Sequence, residues 1–255
     1  MRAAAIAILA VGLWTLPASA ETALSLYKAG QFTQAEAAGI AQNDSAGFAI
    51  AARAVLAEAM MREQPCLDCL HHAEDLARRA IAADSKVPEG HIYLAAAIGY
   101  ESRIIGNLAA QSKGYADEAK RQLDVALASS PNDAWALAAL GSWHIEIVRN
   151  AGPTLARWLF GARFDSGRDY YAKAFAVEPD NLVIRYQYAL TLAAYNLADY
   201  RKDVEAELAR AVACTSSSAY EIFAKGRARE LLETLKRGDM AAVQRLVRHD
   251  QGYPS

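Results

Sequence analysis

Residues 126–133 read Ala126-Leu127-Ala128-Ser129-Ser130-Pro131-Asn132-Asp133, and residues 174–181 read Ala174-Phe175-Ala176-Val177-Glu178-Pro179-Asp180-Asn181. The two octets align on their prolines and describe the same local event. An alanine-rich turn finishes a helix, and a proline, with no N–H to donate, ends it. Asn or Asp then offers a side-chain oxygen to cap the next helix. A third copy, Ala80-Ile81-Ala82-Ala83-Asp84-Ser85, carries Ser where Pro would stand. Upstream of each stop, small or apolar residues recur in steps of four and three: Ala73, Ala77, Ala80; Ala119, Leu123, Ala126; Gly167, Tyr171, Ala174. Those steps put each set on one helical face. Downstream of Pro131, Leu140-Gly141 before His144 marks a partner helix. Small residues at such contacts let two antiparallel helices approach closely.

Working outward, the same periodicity predicts an all-α chain. Helices are expected over 32–43, 46–63, 69–83, 88–112, 115–129, 133–149, 167–178, 182–197, 200–213, 219–236 and 239–248. The composition agrees. The chain has 255 residues, 53% hydrophobic and 22% charged, with a net charge of −2, which excludes a disordered tail or a multi-span membrane protein. Lys+Arg is 27 against 29 Asp+Glu, with no block of like charge, so no nucleic-acid groove is expected.

The helix-pair pattern resembles the tetratricopeptide repeat, which stacks into a solenoid. Leu26-Tyr27-Lys28-Ala29-Gly30-Gln31-Phe32-Thr33-Gln34-Ala35-Glu36 has that family's Gly-x-Phe-x-x-Ala turn. The period is longer: Pro131 to Pro179 spans 48 residues, against about 34 in the family. The excess is expected between the two helices of a unit. It includes the stop Asn150-Ala151-Gly152-Pro153 with a short extra helix over Leu155 to Phe160, and a second insertion around Ser102 to Lys113. Residues 21–255 are therefore read as one tetratricopeptide-like helical-repeat domain, with 219–255 as its capping helices.

From about Ala73 to Leu235 the chain also resembles the regulator of microtubule dynamics family, a divergent tetratricopeptide group with relatives in bacteria. The residues that carry the likeness are His72-Ala73-Glu74-Asp75-Leu76-Ala77-Arg78-Arg79-Ala80-Ile81, Ala97-Ile98-Gly99-Tyr100 with Lys113-Gly114-Tyr115, Leu140-Gly141-Ser142-Trp143-His144, and Leu159-Phe160-Gly161. The resemblance implies a helical-repeat domain with an interaction role and brings no catalytic motif. It does not imply microtubule binding, because the N-terminus reads as an export signal. Arg2 supplies a positive start, Ala3 to Leu16 is mostly apolar, Pro17 breaks that run, and Ala18-Ser19-Ala20 fits the small-x-small cleavage rule. Residues 1–20 are thus expected to be a signal peptide, giving a periplasmic or secreted protein that begins at Glu21. No later segment is long and apolar enough to span a bilayer.

Few residues point to chemistry. Cys66-Leu67-Asp68-Cys69 follows Pro65 and opens a helix. A local disulfide staple formed after export is the expected state, with free thiols and a redox or metal site as alternatives. The covalent haem signature fails because Leu70 follows Cys69, and a zinc site on Cys66, Cys69 and His72 lacks a fourth ligand at ligand spacing. Cys214 reads as a small buried apolar residue. His144, between Trp143 and Ile145, reads as a packing histidine. With no hydrolase, metalloprotease or phosphate-loop motif, neither catalysis nor a cofactor or metal is expected.

Taking the repeat register literally, the concave surface would carry Ile92, Trp135, Ala138, Tyr186, Leu190 and Ala193, rimmed by Arg103, Arg149 and Arg185. A mostly apolar groove of this kind suits an apolar peptide, a partner helix or a lipid chain. The leading expectation is a non-catalytic interaction scaffold holding a protein or peptide there. The alternative is a carrier or sensor of a small apolar ligand such as a lipid. If Trp135 and Tyr186 both face the groove, truncating either leaves the melting temperature nearly unchanged.

Overall fold

The structure, a computed structural model, describes residues 20–254. The expected signal peptide lies outside the described residues except for Ala20. The described chain is all-α, with no strand. Its helices are α1 (Ala20–Lys28), α2 (Phe32–Gln42), α3 (Ser45–Met60), α4 (Leu67–Ala83), α5 (Pro88–Ile105), α6 (Asn107–Ser112), α7 (Tyr115–Ser129), α8 (Ala134–Leu155), α9 (Phe164–Val177), α10 (Leu182–Ala213), α11 (Ala219–Arg237) and α12 (Met240–Asp250). A single π-helical turn, Ala156–Phe160, links α8 to α9.

The proline stops work as their sequence suggests. Asp133 accepts the Ala136 N–H at 2.8 Å to start α8, and Asn181 accepts the Ile184 N–H at 3.0 Å to start α10. Such caps contribute about 1 kcal/mol each. The third site restarts differently: Val87 holds the cap position without a side-chain bond, and Pro88 takes the first helical position, where its missing N–H costs nothing.

Three expected elements differ. The span 88–112 is two helices, because Gly106 at φ +85° turns the chain out of the helix between them. α8 runs past the expected end at 149, through a break at Gly152 (φ +75°) before Pro153. The N-terminal α1 is not among the expected helices, although the Gly30 turn that ends it is expected. The expected boundary near 197 is present as a break: Asn196 leaves helical geometry at φ −161°, ψ 90°. Arg185 Nη1 reaches Glu207 Oε2 at 2.6 Å. A continuous helix would hold residues 22 apart at about 33 Å, so residues 200–213 fold back on residues 182–195.

The helices pair consecutively as α1/α2, α3/α4, α5/α7, α8/α9, the two halves of α10, and α11/α12. Glycines mark the tightest crossings. A Cβ on Gly141 would lie 2.7 Å from Tyr171 Cδ2 and 2.9 Å from the Gly167 carbonyl, and one on Gly39 would lie 2.4 Å from the Gly47 carbonyl. The inner member of each pair packs on the next, from α1 through α3, α5, α8 and α10 to α11, and α11 then packs back on α1. At that seam Tyr27 and Phe32 form a small apolar cluster against which Ala219 and Tyr220 pack. The pairs therefore close into a ring. Two larger cores fill it between its layers, one spanning α3 to α8 and the other α8 to α12.

Candidate functional site

Closing the ring makes the concave face the wall of a central chamber of about 240 Å³ that stays partly open to solvent. For scale, a cavity of about 150 Å³ holds a benzene ring. α5 and α8 run side by side, with Tyr93 and Trp135 near their N-terminal ends at one end of the chamber and Arg103 and Glu146 at the other. The middle is apolar, built from Leu56, Ile92, Ala96, Ala138, Ala139, Val183 and Ile184. Tyr93 to Arg103 is ten residues of α5, so the chamber extends over about 15 Å.

At the first end, Arg53 enters from the middle of α3. Its guanidinium carbon sits 4.4 Å from the Tyr27 ring centre and 6.0 Å from that of Trp135. Tyr93 and Tyr220 line the same chamber. Burial pushes the Tyr93 hydroxyl up to about 12 and raises Tyr220 well above its usual range, so both stay neutral donors.

At the other end Arg103 and Glu146 form a two-pronged pair, Nε to Oε1 at 2.9 Å and Nη2 to Oε2 at 2.8 Å. Burial alone would weaken both charges. The mutual attraction outweighs it, raising Arg103 and lowering Glu146, so both remain ionised. The C-terminal segment lies across this end. Arg103 Nη1 donates to the Gln251 carbonyl at 3.0 Å, Tyr253 donates to Glu146 Oε1 at 3.3 Å, and Arg149 donates to the Tyr253 hydroxyl. Gly252 packs so near Tyr100 that a Cβ there would sit 3.3 Å from its ring.

Of the residues expected on the concave face, Ile92, Trp135 and Ala138 line the chamber. Tyr186 and Leu190 do not. They are buried in the α8–α12 core, with the Tyr186 hydroxyl bonded to Asp250. Ala193 lies outside the chamber, in a surface depression beside Asn107 and Arg149. The helix over 182–195 is turned about one residue, roughly 100°, from the assumed register, with Tyr186 and Leu190 in the α8–α12 core and the Tyr186 hydroxyl reaching Asp250 at the end of α12. Val183, Ile184 and Gln187 face inward instead.

The arginines form no open rim either. Arg103 is inside and paired. Arg149 is held by Glu146, Gln251 and Tyr253. Arg185 sits outside the chamber, paired with Glu207 and placed over the Phe175 ring at 4.7 Å.

The other singled-out side chains are away from the chamber. Cys66 and Cys69 are joined by a disulfide at the start of α4, with Cα atoms 5.3 Å apart. Cys214 is a half-buried free thiol, and burial raises it. His144 is buried. Its Nδ1 accepts the Arg163 N–H at 3.2 Å and its ring stacks on Tyr170. Burial, helped by the Lys120 charge, lowers its pKa to about 4, so the ring is neutral. No cluster of His, Cys, Asp or Glu able to hold a metal occurs among the described residues. Sequence reasoning missed Arg53, Tyr93, Tyr100, Glu146 and Tyr220. The strongest available signal was Arg53 itself, a lone charge in Ala51-Ala52-Arg53-Ala54.

No family model matches the chain, and no curated protein matches it. No described helix is long and apolar enough to cross a membrane.

Proposed function

We propose that this protein is a non-catalytic carrier or sensor of a small, mainly apolar ligand held inside its ring of helix pairs. One observation carries the reading: α11 meets α1, so the concave face lines a central chamber, partly open to solvent, rather than a continuous surface groove. A peptide or partner helix needs an open trough along which its backbone can lie. A deep, largely apolar space with a few polar groups suits a small molecule. The scaffold reading, in which a protein partner occupies the concave face, is therefore ranked second.

The same proposal includes the repeat assignment. The two proline-terminated helix pairs, the Gly30 turn and the glycine crossings support a divergent tetratricopeptide-type array, and the likeness to the regulator of microtubule dynamics group rests on the motifs quoted above. It also includes export. The Ala18-Ser19-Ala20 pattern and the Cys66–Cys69 disulfide support an oxidising compartment.

Native mass spectrometry of gently purified protein tests the carrier reading. The expected spectrum contains protein with a bound small molecule that organic extraction removes. A mass equal to the bare chain, with no uptake of apolar probes by the extracted protein, would overturn it.

A further inference from the structure

Arg53 is the one guanidinium of the chamber that meets no carboxylate. Arg103 at the opposite end is satisfied twice over, by Glu146 and by the Gln251 carbonyl. Arg53 forms no ion pair among the described residues. It lies over the faces of Tyr27 and Trp135, and, against the cost of burial, the Tyr93 and Tyr27 hydroxyls favour its charged form. The acidic groups nearby are otherwise engaged. Glu221 accepts from the Ser217 N–H and hydroxyl, and Asp133 accepts from the Ala136 N–H. A guanidinium in a mostly apolar space is only partly compensated by ring faces. Its planar fork of donors matches a carboxylate through two parallel hydrogen bonds.

From this geometry we infer that the chamber ligand is an organic carboxylate with an apolar body, its head group on Arg53 and its tail along the inner faces of α5 and α8. The inference rests on the small-ligand reading above. The volume of about 240 Å³ exceeds the ~150 Å³ of an apolar cavity that takes up benzene. That sets the body near the size of a medium chain, so octanoate is a suitable probe. The Tyr93 hydroxyl, kept neutral by burial, is a further donor for the head group. At the far end, the Arg103–Glu146 pair and Gln251 offer no free cation, which orients the ligand with its head toward Arg53.

The test compares octanoate with octan-1-ol, a neutral molecule with the same chain, by calorimetry at pH 7 on extracted protein, with Arg53→Met and Arg53→Lys alongside. Octanoate should bind at least tenfold tighter than octanol. Arg53→Met should weaken octanoate at least tenfold and octanol far less, removing the preference for the carboxylate, and Arg53→Lys should recover part of the difference. Equal affinities for the two ligands in the unmodified protein would overturn the carboxylate inference and leave the carrier reading standing. Binding of neither ligand would overturn both. The comparison on unmodified protein decides the matter even if a variant fails to fold.

Discussion

Trp135 and Tyr186 carry similar ring areas on adjacent inner helices, yet their surroundings assign them opposite tasks. Tyr186 is 4% exposed and bonded to Asp250, which Arg227 also holds. Its truncation to Ala should cost about 3–5 kcal/mol, as for other large core aromatics. Trp135 is half-buried and faces the chamber. Trp135→Ala should cost less than half as much while enlarging the chamber, and thermal melts of the two variants check the ordering. His144 makes a separate prediction about pH. Its folded value of about 4 lies below the ordinary 6.5, so the unfolded chain takes up the proton first. The contribution is fully present above about pH 6.5 and is lost as pH falls toward 4, amounting to about 3 kcal/mol across that window. An NMR titration of His144 should give a midpoint near 4, and His144→Gln, which keeps an acceptor for the Arg163 N–H, should flatten that part of the stability profile. A midpoint near 6.5 would contradict the buried, neutral assignment. The packing role of His144 was legible because Trp143 and Ile145 flank it in an apolar run. The roles of Tyr186 and Arg53 were not, because each depends on which distant helix lies opposite.

At the scale of the element, the helix stops were the most readable feature. Pro131 and Pro179 act through the backbone alone, and the capping oxygens of Asp133 and Asn181 lie within three residues of the N–H groups they satisfy. The break at Gly106 and the π-helical turn over Ala156–Phe160 were harder to place, since a glycine or a short apolar run has several local solutions. The helix register around 182–195 was misjudged for a tertiary reason: the α8–α12 core claims the face that repeat spacing would have pointed inward. Packing between elements gives a prediction with two signs. Gly141→Ala would drive a methyl into Tyr171 and the Gly167 carbonyl, a backbone group that cannot move alone, and should cost about 1–3 kcal/mol. Gly226, exposed in the middle of α11, has nothing within 4 Å of an added Cβ. Gly226→Ala should stabilise by about 0.5–1 kcal/mol through helix propensity. Denaturant melts of both variants test the assignment. Equal effects would mean that the α8/α9 crossing is looser than described.

For the whole molecule, ring closure is the property that no single stretch of sequence announces. It requires Tyr27 near the start of the described chain to meet Tyr220 near its end, with Gly30 close enough to Ala219 that an added Cβ would lie 2.8 Å away. It also requires the C-terminal segment to lie against Tyr100, Arg103 and Glu146. Repeat spacing describes how each pair stacks on the next and leaves the total curvature of the array undetermined. The concave face was therefore legible as an apolar surface but not as the wall of a central chamber. Crystals of extracted protein pressurised with xenon test that chamber most directly, since xenon enters dry apolar cavities. The account predicts xenon density inside the ring among Leu56, Ile92, Ala138 and Ile184. An open trough with α1 and α11 apart, or an interior filled by side chains without xenon, would contradict it.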